Sequence, residues 1–229
     1  MTTVFFDFDS TVISKESLDE VIALALVSAP EDERKMLNQK VEEITNAGME
    51  GALPFTESVL RRLAVAPLTD EHFRRVGNAL IEDITPGLPD LIAELHAREN
   101  LVYIISGGFR PCLLPTAKRL DISPERVFAN TYLTDSDGSV TSPDIDNPCF
   151  TDNGKVPVIQ HIATTERPPR PYVMIGDGSN DLRAYTEGVV DYFCGFTAHI
   201  QRDIIKTQAP KQTASVAELR DFIFTVSAV

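Results

Sequence analysis

Cysteine is scarce, cations are outnumbered and no long apolar run exists, and each shortage removes a class of protein. The three cysteines, Cys112, Cys149 and Cys194, form no CxxC pair, and their odd number fits a reduced interior better than a disulfide framework. Each is read as a small buried apolar residue. Lys and Arg number 21 against 34 Asp and Glu, a formal charge of −13 that repels nucleic acid and anionic membranes at long range. No nucleic acid and no membrane partner is expected. The longest apolar stretch, Val21 to Ala29, falls far short of the roughly 20 residues of a membrane span. A predicted strand begins within three residues with no basic leader before it, so no signal peptide and a cytoplasmic location are expected. No internal repeat is visible, and the ERPPRP stretch is too short to count as low complexity.

What is present is enough apolar material for a core. With 229 residues and 43% hydrophobic composition, the chain suits one domain with a sizeable insertion or two small domains. The apolar run Val4-Phe5-Phe6 leads straight into Asp7-Phe8-Asp9-Ser10-Thr11, which puts two carboxylates at a strand end. Strand ends are where an open α/β sheet does its chemistry. One carboxylate can attack an electrophile while the other passes a proton, and both can hold a divalent cation by their oxygens. Two such carboxylates can equally cap a helix start.

Helical spacing of Leu18, Val21, Ile22 and Ala25 predicts a helix over Ser17 to Val27, and a polar-faced helix follows from Glu31 to about Ile44. Gly48 and Gly51 bracket a predicted turn, and short helices follow over Phe55 to Leu63 and Asp70 to Leu80. Residues 15–83 thus read as a helical cap inserted into an α/β core made of 1–14 and 84–229. The core resumes with a helix over Pro89 to Arg98 and a strand Leu101 to Ile105 whose unbroken apolar run suits a sheet buried on both faces. Ser106-Gly107-Gly108 comes next, then a helix that Pro115 should kink or restart. Asp137-Gly138 between Tyr132-Leu133-Thr134 and Ser139-Val140-Thr141 predicts a small projecting β-hairpin flap. A polar loop, Asp144 to Gly154, ends near Lys155. Strands over Tyr172 to Ile175 and Val190 to Cys194 and a helix over Val216 to Val226 complete the core.

Four clusters fall at predicted strand or helix ends: Asp7 with Asp9, Ser106-Gly107, Lys155, and Gly176-Asp177-Gly178-Ser179-Asn180-Asp181. Each has a plain alternative, an N-cap for Ser106, a solvated surface side chain for Lys155, a capped turn for the hexapeptide. Together they supply a carboxylate nucleophile, a hydroxyl and N–H groups at a helix N-terminus for phosphate oxygens, an ammonium for the same anion and further carboxylates for Mg²⁺. A phosphate monoester resists attack because nucleophile and ester are both anionic, so such charge neutralisation is what its cleavage needs. Short-range contacts in a closed site outweigh the surface field, which salt screens within about 8 Å.

The four clusters, in order, resemble the motifs of the haloacid dehalogenase superfamily of phosphatases, whose fold is a Rossmann-like parallel sheet core with an inserted cap. The resemblance implies that Asp7 is the nucleophile, forming an aspartyl-phosphate, and that Asp9 protonates the leaving alcohol and then deprotonates water. It implies Mg²⁺ held by the Asp7 carboxylate, the Asp9 carbonyl and Asp177, with Asp181 acting through water. Ser106, Gly107, Gly108, Lys155 and Asn180 are the implied phosphate-side contacts. To carry its proton near neutral pH, Asp9 must titrate well above the ordinary value of about 3.9, a shift that neighbouring anions favour.

Two stretches of the cap, Asp7 to Glu16 with Ser17-Leu18-Asp19-Glu20, and Gly48 to Phe55 with Arg61-Arg62, are similar to the phosphoserine phosphatase family. That resemblance implies Glu16 for a substrate ammonium, Arg62 for its carboxylate, and Met49 and Phe55 packing around them. A guanidinium fits a carboxylate with paired donors, and a carboxylate in a dry pocket suits an ammonium. The expected activity is hydrolysis of O-phospho-L-serine. A related phosphatase for another small amino-bearing or sugar phosphate and a silent metabolite-binding module remain as alternatives. The long Glu16 to Met49 stretch, the Asp144 to Asn153 loop and Asp191 to Phe196 depart from the family pattern. The four histidines, His72, His96, His161 and His199, match no motif, and the absence of a sustained heptad pattern leaves monomer and homodimer equally open.

Overall fold

The computed structural model describes residues 1–227. Its strands are β1 (Thr3–Phe6), β2 (Leu101–Phe109), β3 (Val127–Asn130), β4 (Tyr132–Thr134), β5 (Val140–Pro143), β6 (Tyr172–Gly176), β7 (Tyr192–Phe196) and β8 (Gln212–Thr213). Its helices are α1 (Ser17–Ala25), α2 (Glu31–Met49), α3 (Phe55–Leu63), α4 (Asp70–Ala79), α5 (Leu88–Ala97), α6 (Arg110–Arg119), α7 (Lys155–Thr165), α8 (Ser179–Thr186), α9 (Asp203–Gln208) and α10 (Val216–Val226). Six strands form one parallel sheet in the order β3-β2-β1-β6-β7-β8, and β4 with β5 form a separate antiparallel pair.

The sheet is buried on both faces because its strands alternate between two apolar clusters. Val4 and Phe6 of β1 join Val102, Ile104, Val173 and Ile175 on the face covered by α5, α6 and α10. Phe5, Tyr103, Ile105 and Met174 point the other way, against Ile159 and Ile162 of α7 and Leu182 of α8. Register pairs Phe6 with both Ile104 and Ile175, so the chain leaves β1 and β6 at one level and enters the far end of β2 there. That level is the carboxyl edge of three adjacent strands, the place where such sheets gather functional groups. Among the described residues no helix is long and apolar enough to cross a membrane.

Several sequence expectations need correction. α2 runs on to Met49, so Gly48 is helical and not part of a turn. Its missing Cβ admits Ser58 of α3, whose Oγ would lie 2.7 Å from a methyl there, while the turn itself falls at Gly51 with φ +78°. β2 continues through Ser106-Gly107-Gly108 to Phe109, so Ser106 does not sit at a helix start. The polar loop ends by opening α7 at Lys155, and β3, β8 and α9 are elements without a sequence signal of their own. The hairpin does not project freely: the Val140 N–H donates to the Leu68 carbonyl at 2.8 Å, the Asp70 N–H to Gly138 at 3.0 Å, and the Tyr132 hydroxyl to Asp70 at 2.7 Å. The three cysteines are free and buried as expected, and burial pushes the Cys149 and Cys194 thiols up to about 12.

Pro115 neither restarts α6 nor ends it; the helix begins at Arg110 with Pro115 inside. Having no N–H, Pro115 leaves the Pro111 carbonyl without its helical donor. α4 approaches at that point through Gly77, where a Cβ would lie 2.5 Å from the Pro111 oxygen and 2.9 Å from the Cys112 Cα. Both are backbone atoms with little freedom to retreat. Gly77→Ala gains about 1 kcal/mol of helix propensity but overpacks this contact at a cost of about 1–3 kcal/mol, so a net loss of stability is expected, read as a lower urea midpoint at unchanged slope.

Candidate active site

Asp7 is the first residue after β1, and its N–H donates to the Ile175 carbonyl of β6 at 2.8 Å, which locks the residue into the sheet edge. The chain then makes a wide turn over Phe8–Val12, with Ser10 at φ +54°. That left-handed conformation is costly for a non-glycine residue. It turns the Ser10 Oγ to donate to Glu16 Oε1 at 2.8 Å. Asp9 accepts from the Ser17 N–H at 2.9 Å and from the Ser17 Oγ at 3.0 Å. The capping and functional readings of Asp9 are thus not exclusive, because its carboxyl serves the first residue of α1 while lining the cavity.

Lys155, buried at the start of α7, puts its Nζ 2.6 Å from Asp7 Oδ1 and bonds Asp181 as well. Burial alone would lower its pKa, but the Asp181 and Asp7 carboxylates outweigh that and hold the ammonium charged. Asp177 follows β6 directly, and Asp181 lies in the first turn of α8. Burial pushes Asp177 well above the usual carboxylate range and Asp181 up to about 6, in both cases with a contribution from Asp7. Asp9 is raised too, by burial first and then by the charges of Glu16 and Asp7.

Asp7, Asp177 and Asp181 each place a carboxylate oxygen within 4.8 Å of the others. Asp177 Oδ1 is buried without a hydrogen-bond partner. A buried carboxylate oxygen left unpaired among two other carboxylates costs stability unless a cation meets it. An all-oxygen donor set of this kind fits a hard divalent ion such as Mg²⁺. The Asp9 side chain lies outside the trio, engaged with Ser17.

One cavity of about 40 Å³ is lined by Asp7, Asp9, Glu16, Met49, Phe55, Arg62, Ser106, Gly107, Gly108, Lys155, Asn180 and Asp181, so all the sequence-proposed residues except Asp177 border a single space. Ser106 Oγ accepts from the Gly108 N–H at 2.9 Å, and Asn130 at the end of β3 donates to the Gly107 carbonyl at 2.7 Å, fixing this glycine-rich end of β2. Phe55 packs its ring on Gly107, where a Cβ would lie 2.5 Å from the ring. Arg62 is buried on α3, with Nη1 donating to Asp19 at 3.1 Å and to Thr45 at 3.0 Å and Nε to the Ser58 carbonyl at 3.4 Å.

Sequence reading missed Arg202. Nearly fully buried, it donates from Nε to Asp177 Oδ2 at 2.8 Å and from Nη2 to Glu16 Oε1 at 3.0 Å. Its loop follows β7, the neighbour of β6, so the available signal was a cation just beyond another strand's carboxyl end. Asp19 and Thr45, which hold Arg62, and Ser17, which holds Asp9, were also unassigned. His199 bonds Thr85 at 2.8 Å and His72 completes a capping box with Thr69, both away from this cavity.

Residues 4–185 match the family model of haloacid dehalogenase-like hydrolases. Phosphoserine phosphatase of Homo sapiens is 33% identical over 216 residues, spanning 94% of this chain and 90% of its own length. A phosphoserine phosphohydrolase-like protein from Francisella tularensis superposes with a TM-score of 0.87 at 29% identity, over 97% of this chain and all of its own. A substrate-bound phosphoserine phosphatase superposes with a TM-score of 0.77 at 26% identity, over 98% of each chain. The chain belongs to the haloacid dehalogenase-like hydrolases. Within that superfamily it is a phosphatase of the phosphoserine phosphatase family.

Removing Arg202 leaves two buried carboxylates without their cation. Arg202→Met is expected to destabilise the metal-free protein by about 3–5 kcal/mol at pH 7. The loss should shrink on going from pH 7 to pH 5, because burial raises both Asp177 and Glu16 and protonation removes the charges that Arg202 neutralises. Urea unfolding at the two pH values measures it.

Proposed function

We propose that the protein hydrolyses O-phospho-L-serine to L-serine and phosphate, with Mg²⁺ and through a phosphate ester of Asp7. The observation that carries this reading is one cavity bordered by the Asp7 and Asp9 pair, Lys155, and two opposite charges from the cap, Glu16 and Arg62. A phosphate, an ammonium and a carboxylate on one small molecule meet each of those in turn.

Asp7 Oδ attacks phosphorus in line while the ester P–O bond breaks, and the leaving serine oxygen takes the proton of Asp9. Burial and the charges of Glu16 and Asp7 keep that proton on Asp9 until it is needed. Asp9, now a carboxylate, takes a proton from water, whose oxygen attacks phosphorus and frees Asp7 with release of phosphate. Lys155 and the Ser106 to Gly108 segment hold the equatorial oxygens, the ammonium neutralising charge that water would otherwise screen. Mg²⁺, held by Asp7, Asp177, the Asp9 carbonyl and Asp181 through water, would supply further neutralisation of the phosphoryl oxygens. Glu16 and Arg62 orient the amino acid end, with Met49 and Phe55 packing around it and Asn180 on the phosphate side.

Steady-state kinetics on O-phospho-L-serine and on an aryl phosphate test the assignment. Asp7→Asn is expected to abolish both activities, and retained turnover would overturn the mechanism. Arg62→Ala should lose about 2–4 kcal/mol of transition-state stabilisation on the amino acid ester and far less on the aryl ester. Equal losses on the two would sink the amino acid assignment in favour of another small phosphate. Chelation should remove both activities, Mg²⁺ should restore them, and Asp177→Asn should weaken Mg²⁺ binding by calorimetry.

A further inference from the structure

The Asp144 to Gly154 loop is the feature that the catalytic reading leaves unused. Arg183 of α8 grips it, donating to the Asp152 carbonyl at 2.7 Å and bonding Asn153. The Asp152 carboxylate crosses to the cap, where Oδ1 accepts from both the N–H and the hydroxyl of Thr56 at 3.0 Å. α3 needs such a partner. The residue before it is Pro54, whose side chain cannot cap a helix. A second contact runs in the opposite direction: Glu50, just past α2, accepts from the core amides of Asp203 at 3.0 Å and Ile204 at 3.2 Å. Arg202, at the position that would cap α9, has its side chain turned to Asp177 and Glu16 instead. Core and cap therefore each end a helix of the other.

From this reciprocity we propose that Asp152 and Glu50 are positioning residues that latch the cap shut over the active site. The latched segments bear the pocket lining. Asp152 holds the turn of α3 that carries Phe55 against Gly107, and the same helix carries Arg62 about two turns on. Glu50 adjoins Met49, whose methyl reaches Gly178, 2.9 Å from a Cβ placed there. The cavity beneath is about 40 Å³, against about 320 Å³ for the open cleft beside β3, so a phosphate ester enters only when the cap lifts and both contacts part. Each contact is bordered by solvent, Asp152 and Asp203 being exposed, which makes it strong enough to bias closure and weak enough to open.

Residue-resolved amide exchange on the full chain without substrate tests the latch. If the two contacts open together, Asp152→Ala accelerates exchange of the Asp203 and Ile204 amides, and Glu50→Ala that of the Thr56 amide, each by about threefold to tenfold, the size of one lost hydrogen bond. Asp152→Asn keeps an oxygen acceptor and restores near-wild-type exchange. In kinetics with Mg²⁺, both alanine variants raise KM by a similar factor on O-phospho-L-serine and the aryl phosphate while kcat stays within about twofold, because a smaller closed fraction weakens binding without touching the reacting atoms. Exchange that rises only at each variant's own contact, or a fall in kcat at unchanged KM, would overturn the latch. The exchange arm uses no ester, so its outcome is independent of which phosphate the enzyme cuts.

Discussion

The constraint on which this structure turns is charge crowding. Asp7, Asp9, Glu16, Asp177 and Asp181 converge on one buried region, and like charges removed from water raise one another's pKa and loosen the fold that confines them. Two cations make the arrangement tenable. Lys155 lies between Asp7 and Asp181, and Arg202 between Asp177 and Glu16. A buried unpartnered oxygen, on Asp177, adjoins the Asp7 and Asp181 carboxylates. The cluster of three carboxylates is an all-oxygen donor set that a hard divalent cation would fit.

The same compensation extends into the cap. Arg62 would be an isolated buried guanidinium but for Asp19 and Thr45, which come from two other cap helices. One donor hub therefore ties α1, α2 and α3 together while holding the group aimed at the cavity. The left-handed Ser10 belongs to the same economy of placement. It lets a four-residue strand end in a wide turn whose Ser10 hydroxyl reaches Glu16, so the carboxylates at the core and the first helix of the cap are set by one short segment.

Much of this was legible in residue order. Apolar runs ending in acidic or glycine-rich clusters gave away β1, β2 and β6, because a parallel strand buried on both faces leaves an unmistakable hydrophobic record. The helical cap was visible from its spacing. What stayed hidden was whatever depended on a partner distant in sequence. Gly48 reads as a turn until Ser58 is seen against it, and the Ser106 to Gly108 stretch reads as a helix start until Asn130 is found pairing it to a neighbouring strand. β3 and β8 exist because longer neighbours supply their hydrogen bonds. Arg202 was invisible for the same reason: a lone arginine in a polar loop has no periodicity, and its meaning comes from two carboxylates 25 and 186 positions away.

The bond between Asp9 and the first amide of α1 has a dynamic consequence. An ionised carboxyl accepts a hydrogen bond more strongly than a neutral one, so the grip of this group on Ser17 changes whenever its proton arrives or leaves. α1 is the leading helix of the cap. The ionisation state at the floor of the cavity is therefore passed directly to its roof, through the two hydrogen bonds that the Ser17 amide and hydroxyl give Asp9.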